Sequence, residues 1–307
     1  MIYDIGIVGL GPAGLSAAIY GARYNLRTLA VGAVLGGNMS EAWKVENYPG
    51  FSVIAGQELA ERMKEQAEQL GAKIVSAQVG NLQKEKDPGG EEIFRITTAN
   101  NQLYQSKSLV LALGTEHRRL NVPGEAQFQG KGVSYCALCD GMFFKDKEVA
   151  VVGGGDSATK TALLLKQYAR KIYLIARGSE LTGEPQNIAE IQKSGAKIEI
   201  LLNSEVKEIV GDRRVSGIIL KNGQQITVSG VFITIGLIPS AVLVKNLGIA
   251  TNKQGYIETD ERQRTGLMRV YAAGDITATL PGFKQILVAA AQGAIAAHSA
   301  YEDLKRP

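Results

Sequence analysis

Residues 5–14 read IGIVGLGPAG, in which four apolar or small residues lead into a run rich in glycine. An apolar strand enters a glycine-rich turn, and the apolar run at 15–22 predicts a helix directly after it. Gly9 permits the tight turn, Gly11 lets the backbone approach a pyrophosphate, and Gly14 lets the helix pack closely on the strand. The start of such a helix offers free N–H groups to phosphates. The segment therefore predicts a dinucleotide-binding unit.

The same pattern recurs at residues 149–158, which read VAVVGGGDSA. Alanine occupies the third small position, and residues 159–169 and 171–176 predict the following helix and strand. One glycine-rich turn is weak evidence, whereas two copies, each between a strand and a helix, are strong evidence. We expect an α/β fold with two Rossmann-like three-layer nucleotide-binding domains. The predicted second loop comprises Gly153, Gly155, Asp156, Ser157 and Ala158.

The composition is that of a globular protein with an excess of glycine. Glycine accounts for 36 of 307 residues, against a usual share of about 7%. The net charge is +4 without a dense Lys/Arg tract, so no nucleic-acid binding is expected. The longest apolar stretch, 286–300, contains Gln292 and is shorter than the roughly 20 residues of a membrane span. No basic leader precedes the first strand, so we expect a cytoplasmic protein without a transmembrane segment.

The two cysteines of the chain, Cys136 and Cys139, stand three residues apart. A thiolate is the nucleophile in disulfide exchange, and this spacing can lower the pKa of a thiol. Asp140 follows directly and is a candidate proton carrier. Half a zinc site and an inert buried pair are the alternatives, but zinc usually takes four ligands and the two histidines, His117 and His298, are far apart in sequence. We predict redox chemistry with Cys136, Cys139 and Asp140 as catalytic residues, and no metal site.

In their order, these and further motifs resemble the low-molecular-weight thioredoxin reductases over nearly the whole chain. The resemblance implies a FAD-containing disulfide oxidoreductase that forms a homodimer and acts on a thioredoxin-like or other dithiol/disulfide partner. The matching motifs are residues 9–14, 36–37, 45–50, 111–115, 136–140, 153–158, 272–275 and 284–285.

The resemblance also implies that one domain is inserted into the other. The FAD-binding domain would comprise residues 1–115 and 245–307, and the inserted domain, 116–244, would carry the dithiol and the second nucleotide loop. By the same likeness, Cys139 would face the flavin and Cys136 would attack the partner disulfide. The inserted domain is expected to swing about hinges near residues 114–115 and 238–239.

Individual FAD contacts follow from the resemblance as well. Asp275 would hold the ribityl chain, and Asn47 and Gln285 would lie near the isoalloxazine. Residues 31–33 lack the acid that often ends the second strand, so contacts to the adenosine ribose must come from elsewhere. The residues assigned to FAD are Gly9, Gly11, Pro12, Ala13, Gly14, Gly36, Gly37, Asn38, Asn47, Gly114, Gly274, Asp275, Lys284, Gln285 and Ile286.

The second nucleotide site departs from the family in its charges. Members that use NADPH carry His-Arg-Arg and a further Arg, which hold the 2′-phosphate, but residues 176–182 read ARGSELT and keep only Arg177. Glu180 would repel a phosphate, and Lys160 and Thr161 stand where the family tends to have two acids. Bonds to charged groups contribute roughly 1.5–3 kcal/mol each, so two lost cations lower NADPH affinity on the order of 100-fold or more. We do not expect NADPH to be the physiological donor.

Three hypotheses remain because the glycine loop itself is intact. The first is a flavin–dithiol enzyme of the NADPH-motif-lacking branch, resembling the diflavin-linked disulfide oxidoreductases, with a second FAD, ferredoxin or a deazaflavin as electron partner. Tyr301 is then either a flavin-stacking residue or an ordinary tyrosine of a helix surface. The second is an NAD(P)H-dependent thioredoxin reductase in which Arg170 or Lys171 assists Arg177. The third is a non-catalytic flavin-binding redox sensor.

Overall fold

The computed structural model describes residues 1–42, 45–239, 242–245, 247–280 and 283–305, without the side chains of Cys139, Leu237 and Val242. The chain divides into two compact units. The first unit comprises Met1–Glu116 and Ile238–Pro307, and the second comprises His117–Leu237. The sequence-based prediction ended the inserted domain at residue 244, whereas the contacts end it at Leu237, because helix Val242–Lys245 packs in the first unit.

Strands and helices alternate over residues 2–76 and 148–201, and consecutive strands follow each of these stretches. The strands are β1 (Ile2–Val8), β2 (Thr28–Gly32), β3 (Lys73–Ser76), β4 (Val79–Lys86), β5 (Glu92–Thr98), β6 (Leu103–Leu111), β7 (Thr115–His117), β8 (Val133–Ser134), β9 (Glu148–Val152), β10 (Lys171–Ile175), β11 (Ile198–Leu201), β12 (Val206–Gly211), β13 (Val215–Leu220), β14 (Gln225–Thr227), β15 (Gly230–Ile233), β16 (Leu237–Pro239) and β17 (Val270–Ala272). The α-helices are α1 (Pro12–Arg23), α2 (Gly56–Gln69), α3 (Ala137–Asp140), α4 (Asp156–Leu165), α5 (Pro185–Gln192), α6 (Val242–Lys245) and α7 (Ile286–Lys305). Short 3-10 helices cover Gly37–Glu41, Gly141–Phe144 and Gly195–Lys197.

The first unit is built on a mixed sheet with β1 near its centre. Its order is β3-β2-β1-β6-β5-β4, with the first four strands parallel and β4 and β5 antiparallel, and the end of β6 also pairs with β17. Side chains of β1 alternate between two cores: Ile5 and Ile7 face α1, α2 and α7, whereas Val8 packs on the other face. Val8 pairs with Leu111, so the turns after β1 and β6 meet at one edge of the sheet.

The second unit repeats this plan on a smaller parallel sheet. Its order is β11-β10-β9-β15-β8, and β9 is the central strand that leads into the second glycine turn. Separate cores cover its two faces, and an antiparallel sheet β12-β13-β14 contributes to one of them. The predicted pair of Rossmann-like domains is confirmed. The connecting strands β7 and β16 form a two-stranded sheet.

Helix α7 contains the long apolar stretch of the sequence, and it is a helix packed on α1. Ala296, Ala297 and Ala300 are fully buried. A Cβ on Gly293 would lie 2.0 Å from the carbonyl oxygen of Ala13, so the two helices approach as closely as glycine allows. Within the described ranges, no helix is long and apolar enough to cross a membrane.

Candidate functional site

Two glycines of the first loop are required by packing. Gly9 has φ 117°, and a Cβ there would lie 2.1 Å from the carbonyl oxygen of Ala112. A Cβ on Gly14 would lie 1.9 Å from the carbonyl oxygen of Gly9. Neither position has space for a side chain, so these glycines allow α1 to pack closely against the end of β1.

Other glycines of this edge surround open space. A Cβ on Gly11 would meet nothing nearer than the carbonyl oxygen of Gly36 at 3.8 Å, and one on Gly114 would meet nothing within 4 Å. A Cβ on Gly37 would lie 3.5 Å from the Cα of Gly11. Helix α1 begins at Pro12 without a side-chain cap or an acid in its first turn. Its free N–H groups and the glycine-lined space fit a pyrophosphate.

Asp275 adds an acceptor at the same edge. None of the described residues donates a hydrogen bond to its half-buried carboxylate. Burial raises the pKa of Asp275, and the charge of Lys284 opposes that rise in part. The Lys284 ammonium itself donates to the carbonyl oxygen of Thr277 at 2.7 Å. Since buried acceptors are normally bonded, Asp275 fits a ligand that brings hydroxyl donors, as the ribityl chain of FAD does.

Residues from distant segments also meet within the first unit. The Asn47 amide donates to Oε1 of Gln285 at 3.1 Å, although the two are far apart in sequence. The Asn38 amide donates to the carbonyl oxygen and the hydroxyl of Thr115, at 3.2 and 3.0 Å. The predicted FAD residues of the first unit thus gather at one sheet edge, and their donors, acceptors and open glycines fit FAD.

The dithiol lies in the second unit, at the start of α3. Cys136 is disulfide-bonded, and its N–H donates to the Ser134 hydroxyl at 3.0 Å. Its carbonyl oxygen accepts from that hydroxyl and from the N–H of Asp140, each at 3.2 Å. Cys139 lies within α3, but its side chain is outside the described residues. In the described part of the chain no group of three or more His, Cys, Asp or Glu could hold a metal ion.

The second glycine loop repeats the geometry of the first. Gly153 has φ 147°, and a Cβ there would lie 2.3 Å from the carbonyl oxygen of Thr234. Gly155 precedes α4 without a side-chain cap, and a Cβ there would meet only the Thr182 hydroxyl at 3.9 Å. The N–H of Thr182 donates to the carbonyl oxygen of Gly154 at 2.8 Å. Thr182 therefore stands beside the loop, at a position where NADPH-using members of the resembled family carry arginine.

The cations near this loop are engaged with acids. Lys160 lies between Asp156 and Glu184, with its ammonium 2.7 and 3.2 Å from their carboxylates. Partial burial disfavours its charge, but the two acids outweigh that effect and raise the pKa of Lys160. Arg177 is exposed. The pKa of Glu205 is lowered chiefly by its hydrogen bond to Lys221 and to a smaller extent by the charge of Arg177. The site therefore offers a 2′-phosphate little uncompensated positive charge.

Arg170 and Lys171 lie at the wrong end of the strand to assist. Arg170 pairs with Glu148 at 2.8 Å, and Lys171 pairs with Glu199 at 2.6 Å. Lys171 is in register with Glu148, at the amino end of β10, whereas the glycine loop follows the carboxyl end of β9. The hypothesis that one of them helps Arg177 to hold a phosphate was wrong, because a strand separates them from the loop.

Tyr301 is similarly remote from the first loop in its own chain. Its ring stacks on Tyr24, with centroids 4.4 Å apart. Both rings line a cavity of about 510 Å³ together with Ile2 and Asp4, at the amino end of β1. The glycine loop follows the opposite end of that strand. Tyr301 is therefore not beside the first loop of its own chain, and the choice between a flavin-stacking residue and an ordinary tyrosine of a helix surface stays a prediction.

Several contacts of the site lay outside the predicted set. Gln292 accepts from the N–H of Gly274 at 2.8 Å, and its signal was a polar residue inside an apolar helix. Thr115 accepts from Asn38, and its signal was its position directly after the predicted residue Gly114. Glu184 offered no signal, because its contacts with Asp156 and Lys160 arise only when the segment after β10 folds back onto α4.

Two dinucleotide-binding units in one chain, one of them carrying a disulfide-forming cysteine, define the class of flavoprotein disulfide oxidoreductases. The chain belongs to the pyridine nucleotide-disulphide oxidoreductase family, whose model matches residues 3–293. It is an enzyme of this class and resembles the thioredoxin reductases throughout.

Individual relatives cover almost the entire chain. A thioredoxin reductase of Listeria monocytogenes is 41% identical over 99% of this chain and 95% of its own. The crystal structure of Lactococcus lactis thioredoxin reductase matches with a TM-score of 0.90 at 36% identity, covering 98% of this chain and 99% of that one. A ferredoxin-flavin thioredoxin reductase from Clostridium acetobutylicum matches with a TM-score of 0.53 at 31% identity, over 99% of each chain.

Proposed function

We propose that this flavoprotein exchanges electrons between FAD and the Cys136–Cys139 pair, acts on a thioredoxin-like disulfide or dithiol, and does not use NADPH as its donor. Bound FAD would supply the two-electron carrier. The first glycine loop would hold its pyrophosphate, Asp275 would accept from its ribityl hydroxyls, and Asn47 with Gln285 would border its ring. Asp140 would carry a proton to or from the dithiol.

The charge balance at the second glycine loop carries the proposal. Lys160 is bound by two acids, Thr182 contributes a hydroxyl where a cation would be needed, and Arg177 alone is left to meet a 2′-phosphate. Charge-assisted bonds to phosphate give much of such an affinity. A site with one cation and several acids disfavours NADPH relative to a dinucleotide without that phosphate.

A second FAD is the occupant that we propose for this loop. The uncapped start of α4 and the open space at Gly155 suit a pyrophosphate, and FAD carries no 2′-phosphate that would need further cations. Ferredoxin is the other candidate electron partner, because a relative of similar fold is named a ferredoxin-flavin thioredoxin reductase.

Anaerobic titration with NADPH and NADH tests the proposal. We expect the flavin absorbance of the purified protein to persist at millimolar concentrations of either nucleotide, because neither binds productively. Dithionite should bleach the same sample and expose two thiols, which checks that the flavin–dithiol pathway works. Rapid bleaching by NADPH with a micromolar KM would refute the NADPH-independent function, and absence of new thiols after dithionite would favour a sensor without turnover.

Restoring the missing cations should create an NADPH site. Gly178 has room for a side chain, since its Cβ would meet nothing nearer than a carbonyl oxygen at 3.4 Å, and Thr182 is exposed. We expect the Gly178→Arg/Thr182→Arg variant to bind NADPH on the order of 100-fold more tightly than the parent, measured by calorimetry. NADH is the matched control ligand, because without a 2′-phosphate it should gain little. An equal gain for both nucleotides would contradict the charge argument.

A further inference from the structure

A buried carboxylate lies close in sequence to the dithiol. Glu125 is only 3% exposed. One of its oxygens accepts from the N–H of Leu120 at 2.9 Å and from the Tyr135 hydroxyl at 2.5 Å, and the other accepts from the N–H of Asn121 at 2.6 Å. A carboxylate is tolerated inside a protein when such donors surround it. These bonds hold the phenol of Tyr135 against the segment that contains Leu120 and Asn121.

The bond between Tyr135 and Glu125 persists over the working pH range. Burial and the bond to Glu125 raise the pKa of Tyr135 to about 12, with Arg119 opposing the rise. The phenol therefore remains protonated and continues to donate. The link is a constant feature of the second unit and not a pH switch.

The ring of Tyr135 is also held from the side. The Arg119 guanidinium lies 5.5 Å from its centroid and donates to Oε1 of Gln129 at 3.0 Å. The His117 ring lies 5.7 Å from the Tyr135 ring. Residues 117 and 119 begin the second unit, just after its first connection. Tyr135 thus packs on the segment by which the chain enters this unit.

Cys136 follows Tyr135 in sequence, and its backbone is also held by hydrogen bonds. Ser134 is 5% exposed, and its hydroxyl contacts both the N–H and the carbonyl oxygen of Cys136. Residues 134–136 therefore have little freedom: Ser134 ties the cysteine backbone locally, and Tyr135 ties the same stretch to Glu125 and Arg119.

We propose that Glu125 and Tyr135 are positioning residues that set the orientation in which Cys136 meets a partner sulfur. The inference rests on the redox role of Cys136 in the proposed function. Disulfide exchange needs an attacking sulfur aligned with the bond that it breaks, and small misplacements of a reacting group slow a reaction steeply. In each exchange the Cys136 thiolate forms a bond to one sulfur of a disulfide, and the other sulfur leaves as a thiolate.

The test compares two tyrosines that make the same kind of bond. Tyr135→Phe removes the donor to Glu125, whereas Tyr173→Phe removes an equivalent donor to Glu148, at 3.0 Å in the same unit and on a different strand. Both are made in a Cys139→Ser background, so that Cys136 is the one thiol of the chain. The readout is the rate of exchange with dipyridyl disulfide as a function of pH, together with the thermal midpoint.

We expect Tyr135→Phe to lower the exchange rate about tenfold, with Glu125→Gln doing the same, while Tyr173→Phe stays within about twofold. Equal rates for Tyr135→Phe and Tyr173→Phe at matched thermal midpoints would overturn the proposal. This assay uses chemically reduced protein and needs no electron transfer from flavin. Failure of the proposed function would appear instead in the dithionite experiment, so the two outcomes are distinguishable.

Discussion

Glycines of the first loop serve two separate purposes at the level of single residues. Gly14 has no space for a side chain, because a Cβ would lie 1.9 Å from the carbonyl oxygen of Gly9. Gly11 has space, because the nearest atom to its Cβ would be 3.8 Å away. Gly14 is therefore required by the packing of the protein itself, whereas Gly11 leaves space for a ligand at the loop.

This difference predicts opposite behaviour of two alanine variants. Gly11→Ala should weaken FAD binding by at least about tenfold, yet at saturating FAD its thermal midpoint should stay near that of the parent. Gly14→Ala should lower stability by about 2–3 kcal/mol at every FAD concentration, because it overpacks the helix–strand contact. Flavin fluorescence titration and thermal unfolding measure the two effects.

Gly80 supplies the control for these variants. It lies in β4, and a Cβ there would make only ordinary contacts at 3.6 Å. Gly80→Ala should change neither FAD affinity nor stability appreciably. Loss of stability in Gly11→Ala under saturating FAD would show that its glycine serves packing and not the ligand.

At the scale of elements, one ion cluster joins three parallel strands of the first sheet. Asp4 of β1 is bonded by Arg27, which precedes β2, at 3.1 Å, and by Lys107 of β6, also at 3.1 Å. Partial burial opposes ionisation, but the bonds from Arg27 and Lys107 prevail and lower the pKa of Asp4 to about 2. The carboxylate thus ties neighbouring strands at the edge opposite the glycine loop.

This lowered pKa predicts how stability depends on pH. A carboxyl group whose pKa falls on folding stabilises the native state above its unfolded pKa of about 3.9, and that contribution disappears as the pH falls towards 2. Asp4→Asn should therefore be less stable than the parent by on the order of 2 kcal/mol at pH 6, with the difference shrinking below pH 4. Urea unfolding between pH 2 and 6 measures it.

The surface pair of Glu58 and Arg62 on α2 is the matched control. Both side chains are more than half exposed, so Glu58→Gln should alter stability by less than about 1 kcal/mol at any pH. A stability difference for Asp4→Asn that does not vary with pH would mean that its cost comes from lost packing and not from the charge.

A second tie at this scale holds α7 to the strand that leads into Gly274. The buried Tyr271 hydroxyl donates to Asp303 at 2.7 Å, and Arg264 bonds both oxygens of that carboxylate, at 3.0 and 2.8 Å. Burial and the bond to Asp303 raise the pKa of Tyr271, so the phenol stays a donor. These bonds tie the C-terminal end of α7 to β17.

At the scale of the whole molecule, the number of bound flavins distinguishes the proposed electron routes. We expect two FAD per chain after denaturation, one at each glycine loop. Gly155→Ala should remove the second flavin alone, because a Cβ there would enter open space beside Thr182, as it would at Gly11. Each single variant should retain about one FAD, and absorbance of the released flavin against protein concentration gives the ratio.

A ratio of one in the parent, unchanged by Gly155→Ala, would contradict the second FAD. In that case the NADPH titration described above would still test whether the protein uses NADPH. Ferredoxin would be the remaining candidate electron partner. Movement of the second unit about residues 114–115 and 238–239 stays a prediction, as do the homodimer and the roles assigned to individual FAD contacts.

Short sequence motifs predicted much of this architecture, because each motif depends on local backbone geometry. A turn after a strand needs glycine at defined positions, and Gly9, Gly14 and Gly153 have the positive φ or the close backbone approach that such turns require. The two Rossmann-like units, the helical nature of the long apolar stretch and the single cation within residues 176–182 could therefore be predicted from sequence.

Short motifs were sufficient to predict the class of protein, because strand–glycine–helix patterns and a Cys-x-x-Cys pair are encoded within a few neighbouring residues. The folded chain, in contrast, established which charges compensate one another. It bound Lys160 to Glu184, separated Arg170 from the second loop, and buried Glu125 against the residue before Cys136. These contacts join positions far apart along the chain or depend on burial, and electrostatic interactions follow distance and desolvation in space.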